Sequence, residues 1–128
     1  MEGNRADPPT AGSVVRDDGV RCAAEDLVSK ALKAVEASPY PFALVVGEQG
    51  MLLGRLRASV LRKHDGALPV GEIMDLDPST VRPHRAAREL AQSLADRDLR
   101  WAIVTTPEGR LLGVASREDL ERAAGEAA

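Results

Sequence analysis

The chain has 128 residues, 44% of them apolar, and a formal net charge of -3 from 17 basic and 20 acidic side chains. That length suits one domain or two small fused repeats with a buried core, and no apolar run approaches the roughly 20 residues a membrane helix needs. The mixed, slightly acidic charge argues against nucleic acid, and one Trp, one Tyr and one Phe are too few for base-stacking platforms. A cytoplasmic protein without a membrane segment is expected.

In chain order, MEGNRADPPTAG is polar, carries Pro8, Pro9, Gly3 and Gly12, and predicts a loose tail over residues 1–12. Cys22 is the only cysteine, which rules out an intrachain disulfide and fits a reducing compartment. Leu27, Val28, Ala31, Leu32 and Val35 fall at helical spacing, and Pro39 and Pro41 stop that helix. Residues 42–46 are a short apolar run of the kind that forms a buried strand. Glu48-Gln49-Gly50 turns the chain into a second strand ending near Gly54, and a short helix follows near residues 58–63. His64-Asp65-Gly66-Ala67-Leu68-Pro69 reads as a joint.

The same order then recurs. Ala86, Ala87, Leu90, Ala91 and Leu94 form a helical stripe, and residues 101–104 an apolar strand. Thr106-Pro107-Glu108-Gly109 is a turn, residues 110–114 a strand, and residues 117–124 a closing helix. Val45 to Gly54 matches Val104 to Gly113 at an offset of 59, whereas Val20-Arg21 set against Val81-Arg82 gives 61. The two-residue difference is assigned to Ser38-Pro39-Tyr40-Pro41. The predicted fold class is therefore α+β (α/β): two β-α-β-β-α repeats, the first over residues 13–66 and the second over 67–126.

Chemistry concentrates in Gly113-Val114-Ala115-Ser116-Arg117-Glu118-Asp119, where a strand passes into a helix. Free N–H groups and the positive helix end favour an anion there. Gly113 offers backbone without a Cβ, Ser116 a hydroxyl, and Asp119 a carboxylate able to accept two sugar hydroxyls. The competing reading is a helix cap, with Ser116 at the N-cap and Asp119 three residues on. His64 and His84 lack metal-ligand spacing, no nucleophile–base order is present, and Cys22 has no neighbour that would activate it. No catalytic residue and no catalytic cofactor is expected.

The phrase Val70-Gly71-Glu72-Ile73-Met74-Asp75-Leu76-Asp77-Pro78-Ser79-Thr80-Val81, then a helix, an apolar strand, EGRLLGV and S-x-x-D-L, resembles a cystathionine β-synthase (CBS) domain. Two in tandem resemble the CBS pair, or Bateman module, two repeats packed about a pseudo-twofold axis. The resemblance implies a regulatory, non-enzymatic module that binds AMP, ADP or ATP, with S-adenosylmethionine a lesser candidate. It implies a homodimer and a regulated partner acting in trans. The family's ribose-phosphate motif, G-h-x-[S/T]-x-x-[D/N], falls on Gly113, Val114, Ser116 and Asp119, with Arg117 inside it. Thr80, with Val81 beside it, matches a further ligand-contacting position. The first repeat departs from the motif: Arg57 stands where Ser116 does and Val60 where Asp119 does. Arg55 and Arg57 are its possible contribution to phosphate binding, against the plainer reading of two solvated arginines. A dimerising module with a vestigial nucleotide site is the alternative.

Overall fold

Each helical stripe and each apolar run becomes the element its period dictates. The computed structural model describes residues 7–127. The elements run α1 (Ala11–Val14), β1 (Val20–Cys22), α2 (Val28–Glu36), β2 (Phe42–Val46), β3 (Leu52–Arg57), α3 (Ala58–Leu61), β4 (Thr80–Val81), α4 (Ala87–Asp96), β5 (Trp101–Thr105), β6 (Leu111–Ser116) and α5 (Arg117–Ala127). They form two three-stranded sheets, ordered β1-β2-β3 and β4-β5-β6. In each, the first pair of strands is parallel, with the intervening helix as the crossover. The mixed α+β class and the repeated β-α-β-β-α order are as the sequence predicts.

The repeat is more regular than the sequence comparison suggests. Cys22 pairs with Val45, and Val81 with Val104. Val28 opens α2 and Ala87 opens α4. Leu61 and Leu120 are both fully buried. Every one of these pairs is separated by 59, so the offset of 61 at Val20-Arg21 and the two-residue insertion in residues 38–41 are both corrected. The Val-Arg match was a coincidence of letters: strand pairing sets Arg21, not Val20, against Thr80.

The chain divides into two units, and neither is a continuous stretch. One combines residues 17–79 with 107–111; the other combines the residues through Arg16 with 80–106 and those from Leu112 onward. The first-repeat unit has a core of Cys22, Val28, Ala31, Val35, Ala43, Val45, Leu56, Leu61 and Val70. The second-repeat unit has its own, with Ala11, Ala87, Leu90, Leu94, Ala102, Val104, Ala115 and Leu120.

The loose tail expected over residues 1–12 is corrected at its end. Residues 1–6 lie outside the described residues, but Pro9 to Gly12 are bound into the second-repeat unit. Ala87 N–H donates to the Pro9 carbonyl (2.9 Å), Ala11 N–H to that of Arg85 (2.8 Å), and Gly12 N–H to that of Pro83 (2.8 Å). The Ala11 methyl is fully buried. The first-repeat unit repeats these bonds 59 residues away: Val28 N–H to Leu68, Val70 N–H to Asp26 (2.7 Å) and Gly71 N–H to Ala24 (2.8 Å). Each unit is thus closed by a docked segment, residues 9–16 ahead of the strands and helices in one and 68–75 after them in the other. Composition misjudged the first because Pro and Gly suit a docked extended segment as well as a free one.

Local signals stop the helices. α4 ends in a Schellman arrangement, with Leu99 N–H on the Leu94 carbonyl (2.8 Å) and Asp98 N–H on that of Ala95 (3.1 Å). Asp98 takes φ +54°, where glycine is the usual occupant.

Candidate functional site

The strand-to-helix junction of the second-repeat unit is built as the sequence predicts. β6 ends at Ser116 and α5 begins at Arg117. Ser116 Oγ accepts the Asp119 backbone N–H at 3.0 Å, so the hydroxyl caps α5 and Asp119 sits in its first turn. The capping reading is therefore realised. Arg117 is held in place: its N–H donates to the Arg100 carbonyl (2.8 Å), and its guanidinium reaches the Leu99 carbonyl (3.4 Å) and Glu121 (3.9 Å).

Gly113 does not present open backbone. Its φ is +148°, and a Cβ built on it would lie 2.3 Å from the Arg16 carbonyl oxygen. Arg16 N–H donates to the Val114 carbonyl (2.8 Å), and Val114 N–H to that of Arg16 (2.9 Å). The glycine is needed for the close approach of the chain's own leading segment. Gly113 and Val114 are buried beneath it.

Asp119 is equally engaged. Arg16 Nε lies 2.7 Å from Oδ2 and Nη2 3.3 Å from Oδ1, a fork on both oxygens. Arg122 Nη1 adds a bond to Oδ1 at 3.1 Å and pairs through Nη2 with Glu118 at 3.4 Å. The Asp119 side chain is 12% exposed and that of Arg16 58%. The Arg16 hydrogen bonds, with help from Ser116 and Arg122, hold the Asp119 carboxyl below its ordinary pKa against the opposing effect of burial. Ser13, Arg16, Asp119 and Arg122 line an open groove of about 330 Å³.

Thr80 and Val81 lie on a separate groove of about 500 Å³, with Arg82, His84, Arg85 and Glu89. Thr80 Oγ1 accepts from Arg82 Nη2 at 2.6 Å. The other Arg82 nitrogen donates to the Thr106 carbonyl (2.7 Å), the Thr105 carbonyl (3.2 Å) and Thr105 Oγ1. Arg82 thereby ties β4 to the end of β5. The structure brings Ser116, Arg117 and Asp119 together, covers Gly113 and Val114, and lines a second groove with Thr80 and Val81.

The first-repeat unit closes the corresponding place with the charges reversed. Residue 75 occupies the position of Arg16, and it is an aspartate. Arg55 and Asp75 exchange backbone bonds (3.1 and 2.9 Å), and a Cβ on Gly54 would lie 2.7 Å from the Asp75 carbonyl. Arg55 Nη2 is 3.2 Å and Arg57 Nε 3.7 Å from Asp75 Oδ2. The two arginines are ion-paired rather than merely solvated. The sequence motif missed Arg16, Arg82 and Asp75, and a uniform offset of 59 is the signal that links Arg16 to Asp75.

Among the described residues no three His, Cys, Asp or Glu side chains converge for a metal ion. Cys22 is buried, and burial, then the nearby Asp26, pushes its thiol pKa up against a smaller opposing pull from Lys30. No helix among the described residues is long and apolar enough to cross a membrane.

The model of the CBS domain family matches residues 70–126. That stretch is a CBS domain. Over most of its length the chain has the fold of a CBS pair, as its solved neighbours show. The cytosolic domain of the Mg2+ channel MgtE in complex with ATP is 27% identical with a TM-score of 0.78, over 89% of this chain and 48% of that one. The cystathionine beta-synthase pair domain of a putative Mg2+ transporter from Shewanella oneidensis MR-1 is 14% identical with a TM-score of 0.82, over 98% of this chain and 81% of that one. CBSX2 in complex with AMP is 22% identical with a TM-score of 0.75, over 92% and 97%. The chain thus spans about half the length of the MgtE domain it resembles. No curated protein sequence matches it.

Proposed function

We propose that this CBS pair is a regulatory module that binds an adenosine nucleotide at the β6–α5 junction of its second repeat and has no catalytic chemistry. The observation that carries the reading is Asp119: a carboxylate fixed by the Ser116 cap in the first turn of α5, facing a groove that also holds Arg16 and Arg122. A carboxylate accepts the paired hydroxyls of a ribose. The two guanidiniums and the helix N-terminus suit the phosphate. Gly113, Val114 and Arg117 shape the junction, and on the same sheet Thr80 offers a hydroxyl beside Val81 in the separate groove they line. Solved CBS pairs that carry ATP or AMP support the ligand class. In the first repeat Val60 stands where Asp119 does, so its helix lacks the equivalent carboxylate, and Arg55 and Arg57 are paired with Asp75.

Signalling follows from population shift. A ligand that binds one arrangement better than another biases the module toward it, and a partner in trans reads the difference. Homodimerisation through the helices completes the proposal, and light scattering on the purified chain tests it. The principal test is a thermal-shift series with AMP, ADP, ATP, NAD and S-adenosylmethionine, repeated on Asp119→Ala. A ligand at about 100 times its Kd stabilises by about 2.7 kcal/mol, and that gain is absent in the variant. A flat series with every nucleotide rejects the reading.

One observation favours a second reading. Both Asp119 oxygens are already bonded to arginines, and the Arg16 carbonyl fills the space at Gly113. In a dimerising module with a vestigial site those bonds are purely structural. The thermal-shift series separates the two, since this reading predicts a dimer with no nucleotide response.

A further inference from the structure

Arg16 lies outside the ribose-phosphate motif, 103 residues from Asp119. Its backbone is pinned to Val114 by two hydrogen bonds, so its Cα is fixed at the rim of the groove. Its side chain is more than half exposed and reaches back to lay a fork on both Asp119 oxygens. Those oxygens are the acceptors a ribose diol needs. Arg16 and a ribose therefore compete for one carboxylate, and binding requires the guanidinium to turn away.

We propose that Arg16 is the specificity-determining residue of this site, exchanging Asp119 for the ligand's phosphate and so admitting phosphorylated nucleosides over the free nucleoside. The inference rests on the nucleotide reading given above. Breaking a bidentate, charge-assisted pair on a carboxylate that is only 12% exposed costs binding energy unless the displaced guanidinium finds another anion. A nucleotide supplies that anion as its ribose takes Asp119. Adenosine brings the same diol and base but no anion, so it bears the cost unrelieved. Arg122 is also held by Glu118, which keeps it local to α5. The first-repeat unit cannot make the exchange: its residue 75 is an aspartate, and Arg55 and Arg57 are turned onto it.

Isothermal titration of the full chain with AMP and with adenosine, on wild type, Arg16→Ala and Arg16→Lys, tests this. Wild type is expected to prefer AMP by about tenfold or more. In Arg16→Ala the ratio falls, chiefly because adenosine binds more tightly once the Arg16 fork is gone and only Arg122 is left on Oδ1. Arg16→Lys keeps much of the preference, because a single positive charge still answers phosphate without the fork. An unchanged ratio in Arg16→Ala, or equal affinity for the two ligands in wild type, overturns the Arg16 proposal and leaves the nucleotide site standing. An Arg16→Ala chain that melts normally but binds neither ligand, while wild type binds AMP, overturns it too. If neither ligand binds wild type or Arg16→Ala, the nucleotide reading itself falls and this inference with it.

Discussion

The Asp119 carboxyl sits against the Arg16 guanidinium, which holds its pKa below the ordinary 3.8. A carboxyl whose folded pKa is depressed adds stability above its unfolded value and loses it as pH falls through the folded value. The pair should therefore stabilise fully at neutral pH and fade below about pH 4. Melting curves for wild type and Arg16→Ala should differ at pH 7 and converge in acid; a gap that persists at low pH would assign the effect to packing of the arginine stem. Ser116→Ala removes the α5 cap and should cost about 1 kcal/mol by denaturant titration. Gly113→Ala should cost more, on the order of 3 kcal/mol, because its Cβ meets a carbonyl at 2.3 Å in a backbone conformation that favours glycine. At this scale the sequence was legible wherever the interaction is local. Ser116 and Asp119 are three residues apart and declare a helix start. Arg16 is invisible because its partner lies at the other end of the chain.

Among the elements, the leading segment of residues 9–16 carries the least expected load. It gives the second-repeat unit a buried Ala11 and the backbone bonds of Pro9, Ala11, Gly12 and Arg16. Each such bond is worth about 1 kcal/mol net, so deletion of residues 1–16 should destabilise this unit by several kcal/mol. Urea unfolding of the truncated chain checks it, and an unchanged midpoint would show the segment to be dispensable. Its counterpart, residues 68–75, was legible as a specific phrase, whereas residues 9–16 share little with it beyond Gly12 and Gly71. Backbone bonds explain the disparity: they constrain φ and ψ more than side-chain identity, so two segments dock alike while their letters diverge. The Val-Arg coincidence misled for the converse reason, since matched letters say nothing of strand pairing.

For the whole molecule, two separate cores mean that a ligand at Asp119 acts first on the unit that contains it. Hydrogen exchange with saturating AMP should slow most in residues 80–106 and 112–124, and less in residues 17–79. Equal protection throughout would show the two cores to unfold as one. What the sequence determined by itself was the repeated order of elements, the helical stripes, the buried strands and the Gly113–Asp119 junction, because each depends on periodicity or on residues a few places apart. Only the tertiary structure decided that the offset is 59 throughout, that each unit is completed by a docked segment, and that Asp119 is held by Arg16 while Arg55 and Arg57 are held by Asp75. Those facts depend on where distant backbones meet, and a chain's order of letters does not record which of its carbonyls comes to rest against which glycine.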